Sequence, residues 1–565
     1  MSLLTQASIC ITPNGVKEGT LYSVIPSDGS GDMSVVRATT ATRVNSAGLV
    51  ELVPYNLLTW SEAFDNADWA KSATTVTANN TTAPNGTMTA DLITSSGAAG
   101  YVYPSNSGLF STAGGSTYTY SIYIKAGSAT SITLLVAGAS LYTGVFNLST
   151  GIATTATPNT TVEMVNVGNG WYRCIVVCSA VANSAYSELQ IGRIASGLTF
   201  YAWGAQLNEG TIKDYQKTET RLNIPRLDYS NGTCPSLLVE PQRTNVLRYS
   251  EDFTNGVWGL YSSGTGVNPI VTANTTISPS GILNADTIIL NAGAGTTAGD
   301  QSQIYQTFPI TNGNVYTFSF YAKGSVGGEQ LMIRQAAGGS YTKITLTNQW
   351  ARYQVTETAS YSGTGFLELL IRRGLNEPIN ASATFYAYGV QMEVGSYPTS
   401  YIPTTSASVT RNADVVSKTG ISSLIGQTEG TLFVEVYNYN NFTSTSSVPF
   451  SISSGSFGNA VYFEVYQNLW YASVFNGFNA QFQQNAGTLS IGLHKLAIAY
   501  KANDIAYYVD GNLIASSTSG TIPTCSRADI GTVGTSTTPE EMQVKASALW
   551  KTRLTNTQLA QLTTI

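Results

Sequence analysis

Residues that could perform acid–base or nucleophilic catalysis are few and lie far apart in the chain. The single histidine, His494, sits in the alternating stretch LHKLAIAY with no obvious nucleophile beside it, so we interpret it as a structural strand residue. Glycoside hydrolysis needs two positioned carboxylates, but Glu435 and Glu464 stand singly. Glu540 and Glu541 in TPEEMQ are typical of a solvated turn. The sequence therefore predicts no catalytic residues and no enzyme, while carboxylates brought together from distant segments stay an open alternative.

Metal-binding and redox residues are equally sparse. The five cysteines are an odd and scattered set, which predicts neither a disulfide framework nor a zinc site. Cys174 and Cys178 lie four apart in one strand-like run, and we interpret them as small buried hydrophobic residues. Asp510 and Asp529 could assist a Ca²⁺ site because calcium prefers oxygen ligands, although the pair Asp510-Gly511 is also ordinary turn chemistry. We predict no cofactor, with calcium as the alternative.

Aromatic side chains beside amides form the best candidate binding surface. Sugars stack their C–H faces on aromatic rings, and polar groups fix their hydroxyls. The segment LWYASVFNGFNAQF combines both kinds of residue, and its predicted carbohydrate-binding residues are Trp470, Tyr471, Phe475 and Asn476. The alternative is that Trp470 and Phe475 belong to the core. Tryptophans at duplicated or partly duplicated positions are expected in the core: Trp69, Trp171, Trp203, Trp258 and Trp350.

The composition favours strands over helices. Only 11% of the 565 residues are charged, compared with about 25% in an average domain, and Gly (53) and Tyr (33) are abundant. A net charge of −6 without a basic stripe argues against nucleic-acid binding. No apolar run approaches the roughly 18 residues of a membrane span, and the start of the chain lacks the pattern of a signal peptide. We therefore expect the chain to fold in a reducing cytoplasm.

An internal duplication organises the middle of the chain. Five motifs occur twice in the same order: S-E-x-F-x-N-x-x-W (61–69 and 250–258), P-x-G-x-x-x-A-D (84–91 and 279–286), Y-T-x-S-x-Y-x-K (118–125 and 316–323), W-x-R (171–173 and 350–352) and T-F-Y-A-x-G-x-Q (199–206 and 384–391). Insertions fall between the motifs, as expected for loops that join a common set of strands. We predict two homologous domains, residues 56–220 and residues 245–403.

Each of these motifs alternates with the period of a strand. In YTYSIYIK, one face carries Tyr118, Tyr120, Ile122 and Ile124, and the other face carries polar residues with Tyr123. Such a pattern predicts half-buried antiparallel strands. Several of them between turns indicate a β-sandwich of the jelly-roll type.

The order of these motifs resembles the carbohydrate-binding-module-like jelly rolls of bacteriophage head and tail fibres. The flanking phrases VVRATTATRVNSAGLVE (35–51), PRLDYSNGTCPSLLVEPQRTNVL (225–247) and SYIPTTSASVTRNAD (400–414) are similar to the connecting segments of such proteins. The resemblance implies a structural protein of the virion, made in the cytoplasm of the host bacterium. It also implies a homotrimer that contacts cell-surface glycans during host attachment; head or tail location stays open.

The C-terminal region carries a second resemblance. The order G-x-H-K-x-A-x-x-Y (492–500), Y-Y-V-D-G (507–511) and A-D-I-G (528–531) is similar to concanavalin A-like and laminin-G-like domains. This resemblance implies a lectin-like sandwich. The tail LTNTQLAQLTT (554–564) predicts a short terminal helix with a capping box at Thr555 and Gln558.

Together these features predict an elongated, all-β chain of tandem jelly rolls followed by a concanavalin A-like sandwich. Residues 404–565 form the lectin-like domain, 221–244 form a linker, and 1–55 form a separate segment that attaches to other virion proteins, because so short a segment has little core of its own. An alternative is that this segment packs on the first jelly roll. Alternative functions are a fibre or tailspike that depolymerises glycans, a capsid decoration without ligand, and a secreted adhesin.

Overall fold

The computed structural model describes residues 3–105, 117–137, 140–179, 188–335, 339–374, 380–439, 446–535 and 541–565. The chain divides into two compact units: one comprises 52–221 with 273–285, and the other comprises 1–51, 222–272 and 286–565. No helix within the described ranges is long and apolar enough to cross a membrane.

The N-terminal segment contains short strands only. They are β1 (Ile9–Ile11), β2 (Val16–Lys17), β3 (Thr20–Leu21), β4 (Met33–Val36), β5 (Ala41–Val44) and β6 (Val50–Val53), after a 3₁₀ turn at Leu3–Gln6. Their side chains Ile9, Leu21 and Met33 are fully buried. A segment that is too short for its own core therefore contributes to a core elsewhere.

The first duplicated region, module 1, is a sandwich of two antiparallel sheets. Its strands are β7 (Trp69–Ser72), β8 (Thr74–Thr81), β9 (Ala90–Ser95), β10 (Gly100–Pro104), β11 (Tyr118–Ala126), β12 (Ser131–Ala137), β13 (Leu141–Asn147), β14 (Ile152–Thr155), β15 (Thr160–Gly168), β16 (Trp171–Cys178), β17 (Glu188–Ile194) and β18 (Thr199–Glu209). The sheet orders are β14-β13-β12-β17-β10-β7 and β15-β16-β11-β18-β9-β8. Tyr118, Tyr120, Ile122 and Ile124 face the core, as the alternation predicts.

The second duplicated region, module 2, follows three short strands, β19 (Arg226–Asp228), β20 (Ser236–Val239) and β21 (Arg243–Asn245). Its own strands are β22 (Gly259–Ser263), β23 (Val267–Ile277), β24 (Leu283–Asn291), β25 (Gln301–Ile310), β26 (Val315–Gly324), β27 (Gln330–Gln335), β28 (Tyr341–Thr345), β29 (Ala351–Thr358), β30 (Gly363–Arg372) and β31 (Ser382–Val394). The sheet orders β22-β25-β30-β27-β28 and β23-β24-β31-β26-β29 repeat those of module 1 without counterparts of β14 and β15.

The C-terminal domain is a third sandwich. Its elements are β32 (Val409–Arg411), β33 (Val415–Thr419), β34 (Glu429–Asn438), β35 (Val448–Ser453), β36 (Ala460–Tyr466), β37 (Leu469–Asn476), β38 (Asn479–Asn485), β39 (Gly492–Lys501), β40 (Ile505–Val509), β41 (Asn512–Ser517), β42 (Arg527–Gly531), β43 (Met542–Trp550) and α1 (Asn556–Thr563). Thr555 and Gln558 form the predicted capping box of α1. The all-β sandwich class predicted for the chain is confirmed.

Two predicted boundaries need correction, because distant segments complete the C-terminal sheets. One sheet runs β19-β20-β43-β34-β39-β40-β41 with β1 on β43, and the other runs β2-β3-β4-β33-β42-β35-β36-β37-β38. Residues 1–55 are therefore not a separate segment, and residues 221–244 are not simply a linker. Their strands are too short to be stable alone, and the sheets of residues 404–565 supply the missing partners.

Five buried charged residues join these distant segments. Arg226 lies between two carboxylates: it contacts Asp414, and its Nη1 is 2.5 Å from Glu240. Arg37 contacts Asp414 and Arg411 contacts Glu240, each with N···O 2.8 Å. Burial alone would raise the pKa of Asp414, but Arg226 and Arg37 hold that pKa below its ordinary value. Removing one member of such a cluster leaves a buried charge without a partner. The cluster therefore fixes how the segments meet.

Candidate functional site

The S-E pair of the first motif supports the fold. In module 1, the hydroxyls of Ser61 and Tyr215 are 2.8 Å apart, and the Tyr215 hydroxyl donates to Glu62 at 3.1 Å. In module 2, Ser250, Glu251 and Tyr401 repeat the arrangement with distances of 2.6 and 2.9 Å. Tyr215 and Tyr401 follow the last strand of their modules. The S-E pair therefore holds the segment after that strand against the start of the module, and these side chains bind one another.

The tryptophans confirm the core prediction with one exception. Trp69, Trp171, Trp203 and Trp258 are buried. Trp350 is only partly buried, and the Lys323 ammonium lies 5.2 Å from its ring centroid and 5.3 Å from that of Tyr386. Trp350 precedes β29 rather than lying within it, which explains its exposure.

Trp470 is corrected from a binding residue to a core residue. It is fully buried on the inner face of β37, the face that it shares with Ala472 and Val474 in the alternation. A ring without an exposed face cannot stack on a sugar.

The other predicted binding residues are partly exposed, and Phe475 packs against a small buried cluster that includes Tyr462. Tyr471 and Phe475 lie on the outer face of β37 and are partly exposed, and Phe475 stacks on Tyr462 with ring centroids 6.1 Å apart. The Asn476 amide donates to the Thr521 hydroxyl at 2.8 Å, so it anchors a neighbouring loop. Tyr471 and Phe475 thus remain available in part, whereas Asn476 is engaged.

A pair of exposed phenylalanines stands at one tip of this sheet. Phe478 is 64% exposed and Phe457 is 43% exposed, and their rings meet edge to face with centroids 5.4 Å apart. We call them the tip pair. Neither residue was among those predicted from the sequence, although the hairpin-turn signal Asn476-Gly477 directly precedes Phe478.

The backbone fixes Phe478 in an unfavourable conformation. Gly477 and Phe478 form the two-residue turn between β37 and β38 with φ of 61° and 64°. Positive φ suits glycine but is strained for a large L-residue. Two hydrogen bonds hold the turn, from Phe478 N to Gly458 O and from Gly477 N to Asn459 Oδ1, both 2.8 Å. An aromatic ring kept exposed in a strained turn is an arrangement that binding sites use.

Amide side chains flank the tip pair. Gln481 on β38 accepts hydrogen bonds from the backbone nitrogen and hydroxyl of Thr521 at 3.0 and 3.1 Å. Asn479 and Gln483 on the same strand are exposed. Stacking faces with adjacent amides provide the two kinds of contact that a sugar requires.

His494 has structural partners. Its Nδ1 is 2.6 Å from Asp510 Oδ2, and its Nε2 is 2.8 Å from the Ser490 carbonyl oxygen and 3.4 Å from the Ser490 hydroxyl. The closer partner of Nε2 is a carbonyl oxygen, which carries no proton for a base to remove. The ring therefore ties β39 to the turn after β40.

The carboxylates singled out in the sequence do not converge. Glu435 lies on β34 of one C-terminal sheet, 3.8 Å from Lys545, while Glu464 lies on β36 of the other sheet and contacts Ser446. Both point outward from opposite faces of the sandwich, so they cannot act on one bond. Glu540 is outside the described residues. The prediction for Glu541 is corrected. This residue directly precedes β43 and lines a cavity, so it does not belong to a solvated turn.

The aspartates proposed for calcium have other partners. Asp529 is buried and contacts Arg527 at 2.7 and 2.9 Å, and Asp510 binds His494 and the backbone of Lys495. The described part of the chain contains no group of three or more His, Cys, Asp or Glu residues that could hold a metal ion. Cys174 and Cys178 are free and buried, as predicted.

Comparison with known proteins finds only distant structural matches. No protein-family model and no curated protein matches the chain. Among solved structures, the tandem CBM22-1–CBM22-2 of Paenibacillus barcinonensis Xyn10C is 13% identical, with 60% of this chain and 98% of that chain covered and a TM-score of 0.22. Domains LG4-5 of the mouse laminin α1 chain are 12% identical (44% and 90% covered, TM-score 0.18). Trypanosoma rangeli sialidase in complex with 2,3-difluorosialic acid is 11% identical (94% and 98% covered, TM-score 0.23). These similarities do not identify a ligand or a reaction for this chain.

Proposed function

We propose that this chain is a structural protein of a bacteriophage virion, a head or tail fibre, whose C-terminal sandwich binds cell-surface glycans for attachment to the host. The observation that carries the binding role is the exposed tip pair, with Phe478 held at positive φ. A strained and exposed aromatic residue costs stability, and such a cost is retained where the residue has a function. A sugar stacked on that ring would cover surface that Phe457 and the rest of the chain leave exposed.

The virion role is supported by the motifs and connecting segments that resemble those of phage fibres. Arg37, Arg226, Glu240, Arg411 and Asp414 all come from the three connecting phrases. They meet in one buried ion cluster, which gives those phrases a physical reason to occur together. The proposal includes a homotrimer located in the virion.

The N-terminal segment is proposed to contact other virion proteins through its exposed apolar side chains. Tyr22, Val24 and Val36 are 37, 46 and 49% exposed. Because Ile9, Leu21 and Met33 of the same segment are buried in the C-terminal sandwich, deleting the segment would damage the lectin-like domain as well as any attachment surface. Attachment is therefore better located by imaging labelled virions than by deletion.

The binding role is tested with the full chain on a glycan array, followed by titration of any glycan that binds. Phe478→Gly should weaken binding at least about ten-fold, the loss expected when a stacking interaction of about 1.4 kcal/mol or more is removed. The same change should leave or raise thermal stability, because glycine relieves the strain at positive φ. A purely structural Phe478 would give the reverse result, lower stability with unchanged binding.

Ile491→Ala is the matched control, because Ile491 is 65% exposed in the same domain and lies outside the tip. It should bind glycans as the unchanged chain does. No binding to any glycan would contradict the proposal and favour a capsid decoration. Release of reducing ends from host capsule would favour a depolymerase instead.

A further inference from the structure

A polar cavity lies where the connecting segments, module 2 and β43 meet. It is separate from the tip pair. Its volume is about 210 Å³, and its walls include Tyr321, Arg352, Ser400, Tyr439 and Glu541. At about 30 Å³ for each water in the liquid, this volume corresponds to roughly seven waters. A single sugar ring has that size, whereas an oligosaccharide is too large.

Some polar groups around the cavity already have partners. Ser400 donates to Glu240 through its backbone nitrogen and its hydroxyl, both at 2.6 Å. Gln543 donates to Asp228 at 3.0 Å and accepts from Asn231 at 2.7 Å. These contacts set the shape of the wall and leave it rigid.

Other groups in the wall still have hydrogen-bonding capacity. Arg352 donates from Nη2 to the Ser319 hydroxyl at 2.9 Å, and its buried Nε, like that of Arg173 in module 1, has no acceptor in the described part of the chain; only Arg352 lies at the cavity. The Tyr439 hydroxyl accepts from the Asn231 amide at 2.7 Å and keeps its own proton to donate. A buried donor without an acceptor is unfavourable, so these groups favour an occupant with oxygen acceptors.

Glu541 is the third such group. Its backbone nitrogen donates to the Tyr397 hydroxyl at 3.2 Å. Although the residue is partly exposed, burial of the carboxyl, followed by the neighbouring carboxylates of Glu240 and Glu393, raises its pKa to about 8 against the opposing charges of Arg352 and Arg411. At neutral pH the protonated group can both donate and accept a hydrogen bond.

We propose that this cavity binds one uncharged polyhydroxyl ligand of the size of a monosaccharide, through Arg352, Tyr439 and Glu541. An anion is disfavoured because Asp228 and Glu240 line the cavity, and a cation is disfavoured because Arg43 and Arg352 do. Hydroxyl groups, which donate and accept, match this mixed wall. The inference concerns a site separate from the tip pair and does not depend on the proposed surface binding.

The test uses the full chain and a panel of glucose, galactose, mannose and N-acetylglucosamine, with binding measured by saturation-transfer NMR and titration. At least one sugar should bind with a millimolar or lower dissociation constant at pH 7. Glu541→Ala and Arg352→Gln should each weaken it at least ten-fold. Binding should also fall as the pH rises through about 8, because the ionised Glu541 loses its donor.

Module 1 provides a matched control. Arg173 contacts Ser121 and the Tyr123 ring just as Arg352 contacts Ser319 and the Tyr321 ring. Arg173→Gln should therefore carry the same structural cost but leave sugar binding unchanged. The proposal fails if no sugar of the panel binds, if Arg173→Gln weakens binding as much as Arg352→Gln, or if Phe478→Gly abolishes it, since that last result would place the sugar at the tip.

Discussion

The two duplicated modules share their internal contacts and differ on their surfaces. The guanidinium of Arg173 lies 5.5 Å from the Tyr123 ring centroid, and that of Arg352 lies 5.4 Å from the Tyr321 ring centroid. Each arginine also donates to a serine on the neighbouring strand, at 3.0 Å in module 1 and 2.9 Å in module 2. Residues that match between the modules thus match because they make the same contact.

The clearest difference lies where a side chain leaves the sandwich. Trp171 is buried and donates from its indole nitrogen to Thr82 O at 3.1 Å, whereas Trp350 is partly exposed beside Lys323. Trp203 in module 1 is replaced by Tyr388 in module 2, but both of these side chains are buried. A repeated motif therefore identifies scaffold, and a motif residue such as Arg352 can take part in recognition only where its surroundings differ between the modules, as they do at the cavity beside β43.

The largest effect is expected from the tryptophan of the first motif. Trp69→Ala and Trp258→Ala should each lower the stability of their own module by about 3–5 kcal/mol, because a buried ring is replaced by a cavity. Hydrogen exchange of peptides from each module measures the loss separately. Tyr261→Ala, at a 44% exposed position, should have little effect, and unequal losses for the two tryptophans would show that the modules are not equivalent inside.

A smaller effect is expected from the aspartate of the second motif. Asp91 accepts from Asn79 N and Phe64 N at 2.9 and 2.8 Å, and burial raises its pKa to about 6. This pKa lies above the ordinary value of an aspartate. The contribution of Asp91 to the free energy of folding is therefore fully present below about pH 4 and is lost as the pH rises through about 6. The loss is on the order of 2–3 kcal/mol.

The backbone amides of module 1 should therefore exchange their hydrogens faster at pH 7 than at pH 4, after correction for the intrinsic exchange rate. In Asp91→Asn this pH dependence should disappear, while Asp214→Asn, which changes an exposed carboxylate of the same unit, should preserve it. A pH profile that is unchanged by Asp91→Asn would assign the effect to another group.

The smallest effect is expected from the serine of the first motif. Ser61→Ala and Ser250→Ala each remove hydrogen bonds to a tyrosine hydroxyl and to a backbone segment. Each should cost about 1–2 kcal/mol, measured by the same exchange experiment. Ser149→Ala, at an exposed position, should be neutral, and a neutral result for Ser61 as well would mean that the tyrosine alone holds the segment.

The sequence was sufficient for the modules because their information is local and repeated. Alternation placed Tyr118 and Tyr120 in the core, and the paired motifs predicted two sandwiches that have the same strand order. The sequence was insufficient for residues 1–55 and 221–244. Their pairing partners lie hundreds of residues away, and such short strands show no periodic pattern.

The candidate site was predicted in part. The segment around β37 was predicted to form a binding surface; Tyr471 and Phe475 are partly exposed there, but Trp470 lies inside. Alternation with Ala472 and Val474 contained that information. Phe457 and Phe478 were missed because exposure at a turn depends on backbone geometry. Glu541 was misassigned because the wall opposite it comes from other parts of the chain.

The pairing of β1 with β43 has a consequence for biosynthesis. Ser8 and Leu549 are hydrogen-bonded across 541 positions. At about 5–20 residues per second, a ribosome needs roughly half a minute to two minutes to make the second strand after the first. Throughout that interval the edge of β1 and the apolar side chains of its neighbours have no partner. Nascent chains must therefore be protected from aggregation until β43 has been made, and chains that end before β43 should be the species that chaperones and proteases remove.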